Sequence, residues 1–277
     1  MKTLKRKISD AFIHRMDPRG DYSFRLRTVK AASIRTLFDG IKEILTEANI
    51  EIDPLGIKIM AMDGTHTILV HMRLHADRFD EFHCPNKTIF GVNMMNLNKF
   101  LKGITSDDHL VMYQSRSNQS KLNLIKLNGE KQMSTDMDLN LMELDIKPIE
   151  IPPVHFPSII TMPSSDFQKI IKELSPLGEK VEIKSVENEL IFRLEGGEFG
   201  NVSTTCVMPK ASPEIVQGYF GLKQLALFTK LTPLSTDITL HLKNNYPIII
   251  EYSVAGLGEV KLALAPSPRN ESGLTHS

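Results

Sequence analysis

Beyond residue 21 the chain is built from short runs in which apolar and polar residues alternate. Gly56-Ile57-Lys58-Ile59-Met60-Ala61-Met62 puts Ile57, Ile59 and Ala61 on one side, the period of a half-buried strand. Asp63-Gly64 follows as a turn, and Ile68, Val70, Met72 and Leu74 then alternate with Leu69, His71, Arg73 and His75. Val111–Tyr113, Lys121–Leu127 and Lys131–Leu139 carry the same period, so much of the chain is predicted to be antiparallel β.

Four segments switch to helical spacing. Ile34, Leu37, Phe38, Ile41, Leu45 and Ala48 predict a helix over Ser33–Ala48, with Ser33 as its N-cap. Met94, Leu97 and Leu101 predict a second over Asn93–Lys102. Phe167, Ile170, Ile171 and Leu174 predict a third over Ser165–Leu174, and Leu225 and Phe228 a fourth over Leu222–Lys230. Ile34 to Phe100 and Phe167 to Phe228 are each about 60–66 residues apart, and strands flank every helix. The pattern is that of a duplicated module, each copy carrying two helices on an antiparallel sheet, which is an α+β architecture. Between the copies, Leu141 to Pro153 holds three prolines and reads as an extended surface connector with apolar side chains partly exposed.

Charge changes this picture only by its placement. Lys+Arg and Asp+Glu each total 33 in 277 residues, so the net charge is zero and any basic surface must come from segregation. The polar helix faces provide it. Arg35 and Lys42 lie at i, i+7, Lys99 and Lys102 at i, i+3, Lys169 and Lys172 at i, i+3, and Lys223 and Lys230 at i, i+7. Asp39, Glu43, Glu47 and Glu173 lie among them, and a solvated helix face explains such a stripe equally well. Lysines without interleaved base readers would attract phosphates without choosing sequence.

Two cysteines, Cys84 and Cys206, far apart, point to a reducing intracellular compartment rather than a disulfide scaffold. No run is long and apolar enough for a membrane span, so no membrane partner is expected. The first 21 residues are basic, with Lys2, Lys5, Arg6, Lys7 and Arg15, and lack the apolar core of a secretory signal. They read as a polar extension or as an import or DNA-touching arm.

Catalytic and metal chemistry find little footing. Asp63, His66, His71, His75, His83 and Cys84 invite a metal reading, but His71 and His75 on one strand would stand about 13 Å apart. Gly196-Gly197-Glu198-Phe199-Gly200 lacks the Lys-Ser/Thr and the helix of a phosphate loop and reads as a hairpin turn. No cofactor, metal or enzymatic activity is expected.

Several segments, in order and in register, resemble the proliferating cell nuclear antigen family of DNA sliding clamps. They are GIKIMAMDGTH at 56–66, GVNMMNLNKFLK at 91–102, LMELDIKPIEIPP at 141–153, MPSSDFQKIIKELSPLG at 162–178, FTKLTPLS at 228–235, YPIIIEY at 246–252 and LALAP at 262–266. The resemblance implies a DNA clamp fold: a basic tail at 1–21, a first clamp domain at 22–140, a connecting loop at 141–156, a second domain at 157–268 and a tail at 269–277. It implies a ring of three identical chains around double-stranded DNA, lined by Arg35, Lys42, Lys99, Lys102, Lys169, Lys172, Lys223 and Lys230. It implies a docking groove made of Met62, His66, Ile149, Ile151, Pro152, Pro247, Ala265 and Pro266. The implied partners are a DNA polymerase, a clamp loader and other proteins bearing clamp-binding peptides, and the implied location is the nucleus or, for a viral clamp, a cytoplasmic replication site.

The chain departs from the family pattern in places. It is neutral where relatives are acidic, it carries the basic tail, and Asn201–Leu222 is about ten residues shorter than the family pattern implies. Glu187 stands where eukaryotic clamps carry their modified lysine, with Lys184 nearby, and Ala263 replaces an aromatic before the terminal Leu-Ala-Pro. Two other readings compete: a subunit of a checkpoint-type heterotrimeric clamp, and a β-rich nucleic-acid enzyme.

Overall fold

A computed structural model describes residues 20–145, 149–197, 200–209 and 214–268. The expected basic tail before residue 20 and the end of the chain beyond 268 lie outside the described residues. The chain forms two units. The first is built on residues up to Ala61, on His71–Ile149 and on Val254–Glu259; the second on Met62–Val70, on Glu150–Ser253 and from Val260 onward.

In the first repeat the order is β1 (Tyr22–Thr28), α1 (Ala31–Ile41), β2 (Glu47–Asp53), β3 (Gly56–Met62), β4 (Ile68–His75), β5 (Glu81–His83), β6 (Thr88–Asn93), α2 (Met94–Leu101), β7 (Asp108–Ser115), β8 (Asn118–Asn128) and β9 (Met133–Asn140). The second runs β10 (Ser158–Pro163), α3 (Ser164–Leu174), β11 (Lys180–Val186), β12 (Glu189–Gly197), β13 (Gly200–Val207), β14 (Val216–Gly221), α4 (Leu222–Phe228), β15 (Asp237–Leu242), β16 (Ile248–Ser253) and β17 (Gly258–Leu264).

Pairing repeats along with order. The strand before each first helix pairs antiparallel with the strand after each second helix, β1 with β7 and β10 with β15. The strand after each first helix pairs with the next strand and with the one that leads into the second helix: β2 with β3 and β6, β11 with β12 and β14. One sheet of the first unit has the order β5-β1-β7-β8-β9, and one of the second has the order β13-β12-β11-β14. Among the described residues the edges β9 and β13 are therefore open on one side.

The alternation in the sequence is the alternation of burial. Ile57, Ile59 and Ala61 of β3 are buried, as are Ile68, Val70, Met72 and Leu74 of β4. Each aliphatic side chain taken fully out of water contributes about 1.5–3 kcal/mol. The helices bury one face each: Ile34, Leu37, Phe38 and Ile41 on α1, Met94, Leu97 and Leu101 on α2, Phe167, Ile170, Ile171 and Leu174 on α3, Leu222, Leu225 and Phe228 on α4.

The first helix is shorter than its apolar spacing predicts. It begins after Lys30, which has no side-chain cap, and Ser33 already donates its N–H to the Lys30 carbonyl (3.1 Å) inside the first turn. Ile41 ends it. Glu43 and Ile44 donate to carbonyls three residues back, Gly40 and Ile41, and tighten the turn. Ala48, Ile50 and Ile52 then alternate as β2, because period-two burial against β3 and β6 wins over the i, i+3 match of Leu45 and Ala48. The fourth helix also stops early, at Phe228, and Lys230 falls in a 3₁₀ turn over Thr229–Leu234 that contains Pro233. Asn93 caps α2 as its side-chain oxygen accepts the Asn96 N–H at 3.0 Å. Gly197 pairs with Gly200 where a hairpin is expected; the residues between them lie outside the described ones.

Candidate nucleic-acid interface

Because each helix buries one stripe, its opposite stripe carries the basic residues outward. In the first unit, Lys99 and Lys102 are exposed near the C-terminal end of α2, where a cation complements the helix dipole. Among the described residues Lys99 donates only to Asn96 of its own helix, at 3.4 Å. In the second unit, Lys169 and Lys172 on α3, Lys223 on α4 and Lys230 in the following turn are all exposed, and none of the four forms an ion pair among the described residues.

Arg35 and Lys42 behave differently. The Arg35 guanidinium donates to the Ile104 carbonyl at 2.6 Å. Lys42 Nζ sits 2.8 Å from Asp39 and 2.9 Å from Glu43. Its hydrogen bond to Lys42 is the main cause that holds the Asp39 carboxyl below the usual carboxylate range, and the same bond pushes the Lys42 ammonium up. The basic stripe expected from spacing is thus present, with two of its first-unit members engaged within the chain.

The residues expected to form a docking surface are placed as follows. In the second unit, exposed Met62 opens a loop organised by Asp63, whose carboxylate accepts the N–H groups of Thr65 (3.1 Å), Thr67 (2.8 Å) and Ile68 (2.7 Å). Burial would raise that carboxyl, but the donors from Thr65, Ile68 and Thr67 outweigh it and hold it below the ordinary range. His66 is exposed in the left-handed region, φ 56°, with its N–H on the Asp63 carbonyl (3.0 Å). Ala265 donates its N–H to Thr67 at 2.9 Å, so the chain after β17 lies beside this loop, with Pro266 exposed. Pro247, half-buried, leads into β16.

Over its described residues the connector forms no helix or strand beyond the single bridge at Met142. Its head is fastened to the first unit. Gly91 and Met142 exchange N–H to C=O bonds at 3.0 and 2.8 Å, and Asn49 Nδ2 donates to the Leu144 carbonyl at 3.2 Å. A Cβ on Gly91 would stand 2.6 Å from Leu144 Cγ and from the Met142 oxygen, so the approach needs a glycine there. Its far end is fastened to the second unit, where Phe156 meets the rings of His241 and Tyr246 edge-on at 5.5 and 5.7 Å. Between these ends Ile149 is half-buried, Ile151 is 45% exposed and Pro152 is exposed. The spacing of residues does not announce the anchors, although Phe156 just past the prolines is a visible aromatic signal. Among the described residues no cluster of three His, Cys, Asp or Glu side chains could hold a metal.

Comparison with known proteins agrees over both repeats. Residues 23–148 match the family model "Proliferating cell nuclear antigen, N-terminal domain", and residues 150–267 match "Proliferating cell nuclear antigen, C-terminal domain". A probable DNA polymerase sliding clamp of Paramecium bursaria Chlorella virus 1 is 31% identical, with 88% of this chain and 96% of that protein covered.

Proposed function

Because the chain belongs to the proliferating cell nuclear antigen family, and is thus a DNA sliding clamp with a role in polymerase processivity, we propose that three copies close head to tail around duplex DNA. The observation that carries this reading is that each unit exposes lysines on the polar side of its helices or just after them, Lys99 and Lys102 in the first and Lys169, Lys172, Lys223 and Lys230 in the second. Such lysines attract phosphates and read no bases, which lets a ring hold DNA and still slide. The open edges supply the closure. β9 of one copy would pair with β13 of the next, a heterologous contact that forms a ring when its rotation closes.

The same reading makes the connector a docking strip for a polymerase, a clamp loader and other proteins that carry clamp-binding peptides. Ile149 and Ile151 lie two residues apart, the spacing that puts two side chains on one face of an extended chain. With Ile151 45% exposed and Ile149 half-buried, the pair offers apolar surface to a partner's anchors. The proposed role is binding and positioning, with no chemical step, and it would be exercised in the nucleus, to which the Lys/Arg-rich first 21 residues point.

Native mass spectrometry and calorimetric titration test both halves. The purified chain should be a homotrimer; a monomer would overturn ring closure. Ile149→Ala with Ile151→Ala should weaken a peptide bearing one aliphatic and two aromatic anchors at least about tenfold, or ~1.4 kcal/mol, with the trimer intact. Equal affinity for both proteins would place the partner site elsewhere.

A further inference from the structure

A serine or threonine precedes a proline at Ser175, Ser212, Thr232 and Ser267. Ser212 lies outside the described residues. The Ser175 hydroxyl donates to the Ile171 carbonyl at 2.6 Å at the end of α3, and the Thr232 oxygen is buried in the 3₁₀ turn after α4. Ser267 differs from both. It is half-buried between exposed Pro266 and exposed Pro268, and its backbone fastens it, the N–H donating to the Tyr219 carbonyl of β14 at 2.7 Å. A following proline offers no N–H and drives the residue before it toward an extended backbone. Arg269 comes next in the sequence. An accessible hydroxyl on a Ser-Pro step is what a proline-directed protein kinase accepts.

The surroundings, all within the second unit, give a phosphate at Ser267 a partner to bind and a surface to act on. Lys180 Nζ donates to the Pro268 carbonyl at 3.3 Å, so an ammonium stands one residue away. On the other side, Ala265 donates its N–H to the Thr67 carbonyl at 2.9 Å, and Ala265 and Pro266 belong to the expected docking surface. Two residues of chain span at most about 7 Å, inside the screening length of about 8 Å. A phosphoserine adds about −1.5 to −2 charge. We propose that Ser267 is a phosphorylation site for a proline-directed kinase, and that its phosphate, held by Lys180 beside the docking surface, selects partner peptides by the charge of their flanks. The proposal rests on the clamp reading of that surface and deepens it. In the step itself the γ-phosphoryl group of ATP passes to Ser267 Oγ, ADP leaves, and the hydroxyl proton goes to the kinase's base. The phosphate then gains a charge-assisted bond to Lys180, which keeps the new charge against β14 instead of free in solvent.

Full-length protein is treated with a purified proline-directed kinase and magnesium ATP, and the acceptor is mapped by mass spectrometry. Ser267 should be modified ahead of Ser175 and Thr232, and Ser267→Ala should remove that phosphate. Two peptides with the same aliphatic and aromatic anchors, one flanked by lysines and the other by aspartates, are then titrated by calorimetry. Phosphorylation should tighten the lysine-flanked peptide and weaken the aspartate-flanked one by about threefold each, the size of an exposed charge pair. High salt should erase both changes. Kinase-treated Ser267→Ala should bind both peptides as the untreated protein does. The proposal is overturned if Ser267 stays unmodified in the folded protein. It is equally overturned if the protein phosphorylated at Ser267 binds the two peptides as the unmodified protein does. Ile149→Ala with Ile151→Ala, without kinase, is the reference for the docking surface. Unchanged affinity of that variant for either peptide would overturn the docking reading itself, an outcome told apart from the other two because no phosphate is involved.

Discussion

Single side chains decide where this fold can be disturbed. Arg25 on β1 is 6% exposed and pairs with Glu81 of β5, which also receives Arg27 Nη1 at 3.1 Å. Among the described residues the Nε atoms of both arginines are buried without a partner, so Glu81 is the main acceptor for two cations. Burial pushes the Glu81 carboxyl up, but Arg25 and Arg27 outweigh it and hold it below the usual range. A carboxyl depressed in this way stabilises the fold fully above its unfolded value, about 4.3, and loses that contribution as the pH falls through the folded value. Glu81→Gln should therefore cost about 2–3 kcal/mol at neutral pH, less than for a fully buried pair because Glu81 is about one-third exposed. It should also flatten the loss of stability between neutral pH and about pH 3.5. Thermal unfolding of both proteins at the two pH values checks this, and parallel losses on acidification would show that the pair does not titrate with folding.

At the scale of elements, strands were legible where one face alone is buried. Ile57, Ile59 and Ala61, and Ile68 through Leu74, alternate in burial as they alternate in sequence, because the pleat has the same period as the pattern. The end of α1 was not legible. Leu45 and Ala48 satisfy a helical spacing and a strand spacing at once, and only the pairing of β2 with β6, some forty residues downstream, separates the two. The stripe's charges were legible as residue types, and so was the i, i+3 spacing of Asp39 and Lys42, whereas the bond from Asn98 to Asp39 depends on a contact between helices about sixty residues apart. The open edges bear directly on assembly. Successive residues of an edge strand direct their N–H groups to opposite neighbours, so of Ser134 and Thr135 in β9 one serves β8 and the other faces outward. Proline at the inward position should cost stability and leave the trimer. Proline at the outward position should yield monomers of nearly unchanged thermal stability. Light scattering and calorimetry on Ser134→Pro and Thr135→Pro together check it, and two trimeric variants would remove β9 from the interface.

For the whole molecule, the balance of 33 basic and 33 acidic residues means that no net charge draws the chain to DNA. Its hold must come from placement, and placement separates from total charge by experiment. Lys99, Lys172 and Lys230 are exposed on α2, on α3 and in the turn after α4. Lys58, Lys131 and Lys184 lie on β3, just before β9 and on β11. Changing either set to glutamate alters the net charge by the same amount. If overall charge governed retention, both triple variants would release DNA alike, since each changes the net charge by the same amount. If the helix-borne lysines hold the phosphates, the first set should forfeit most of its retention on circular DNA at moderate salt, each phosphate left unneutralised removing about 0.9 from the salt slope. The second set should slide and stimulate a polymerase as the unaltered protein does. Retention on a closed circle, measured by gel filtration after loading and again after linearisation, distinguishes the two. Equal release from both sets would mean that the helices do not face the duplex.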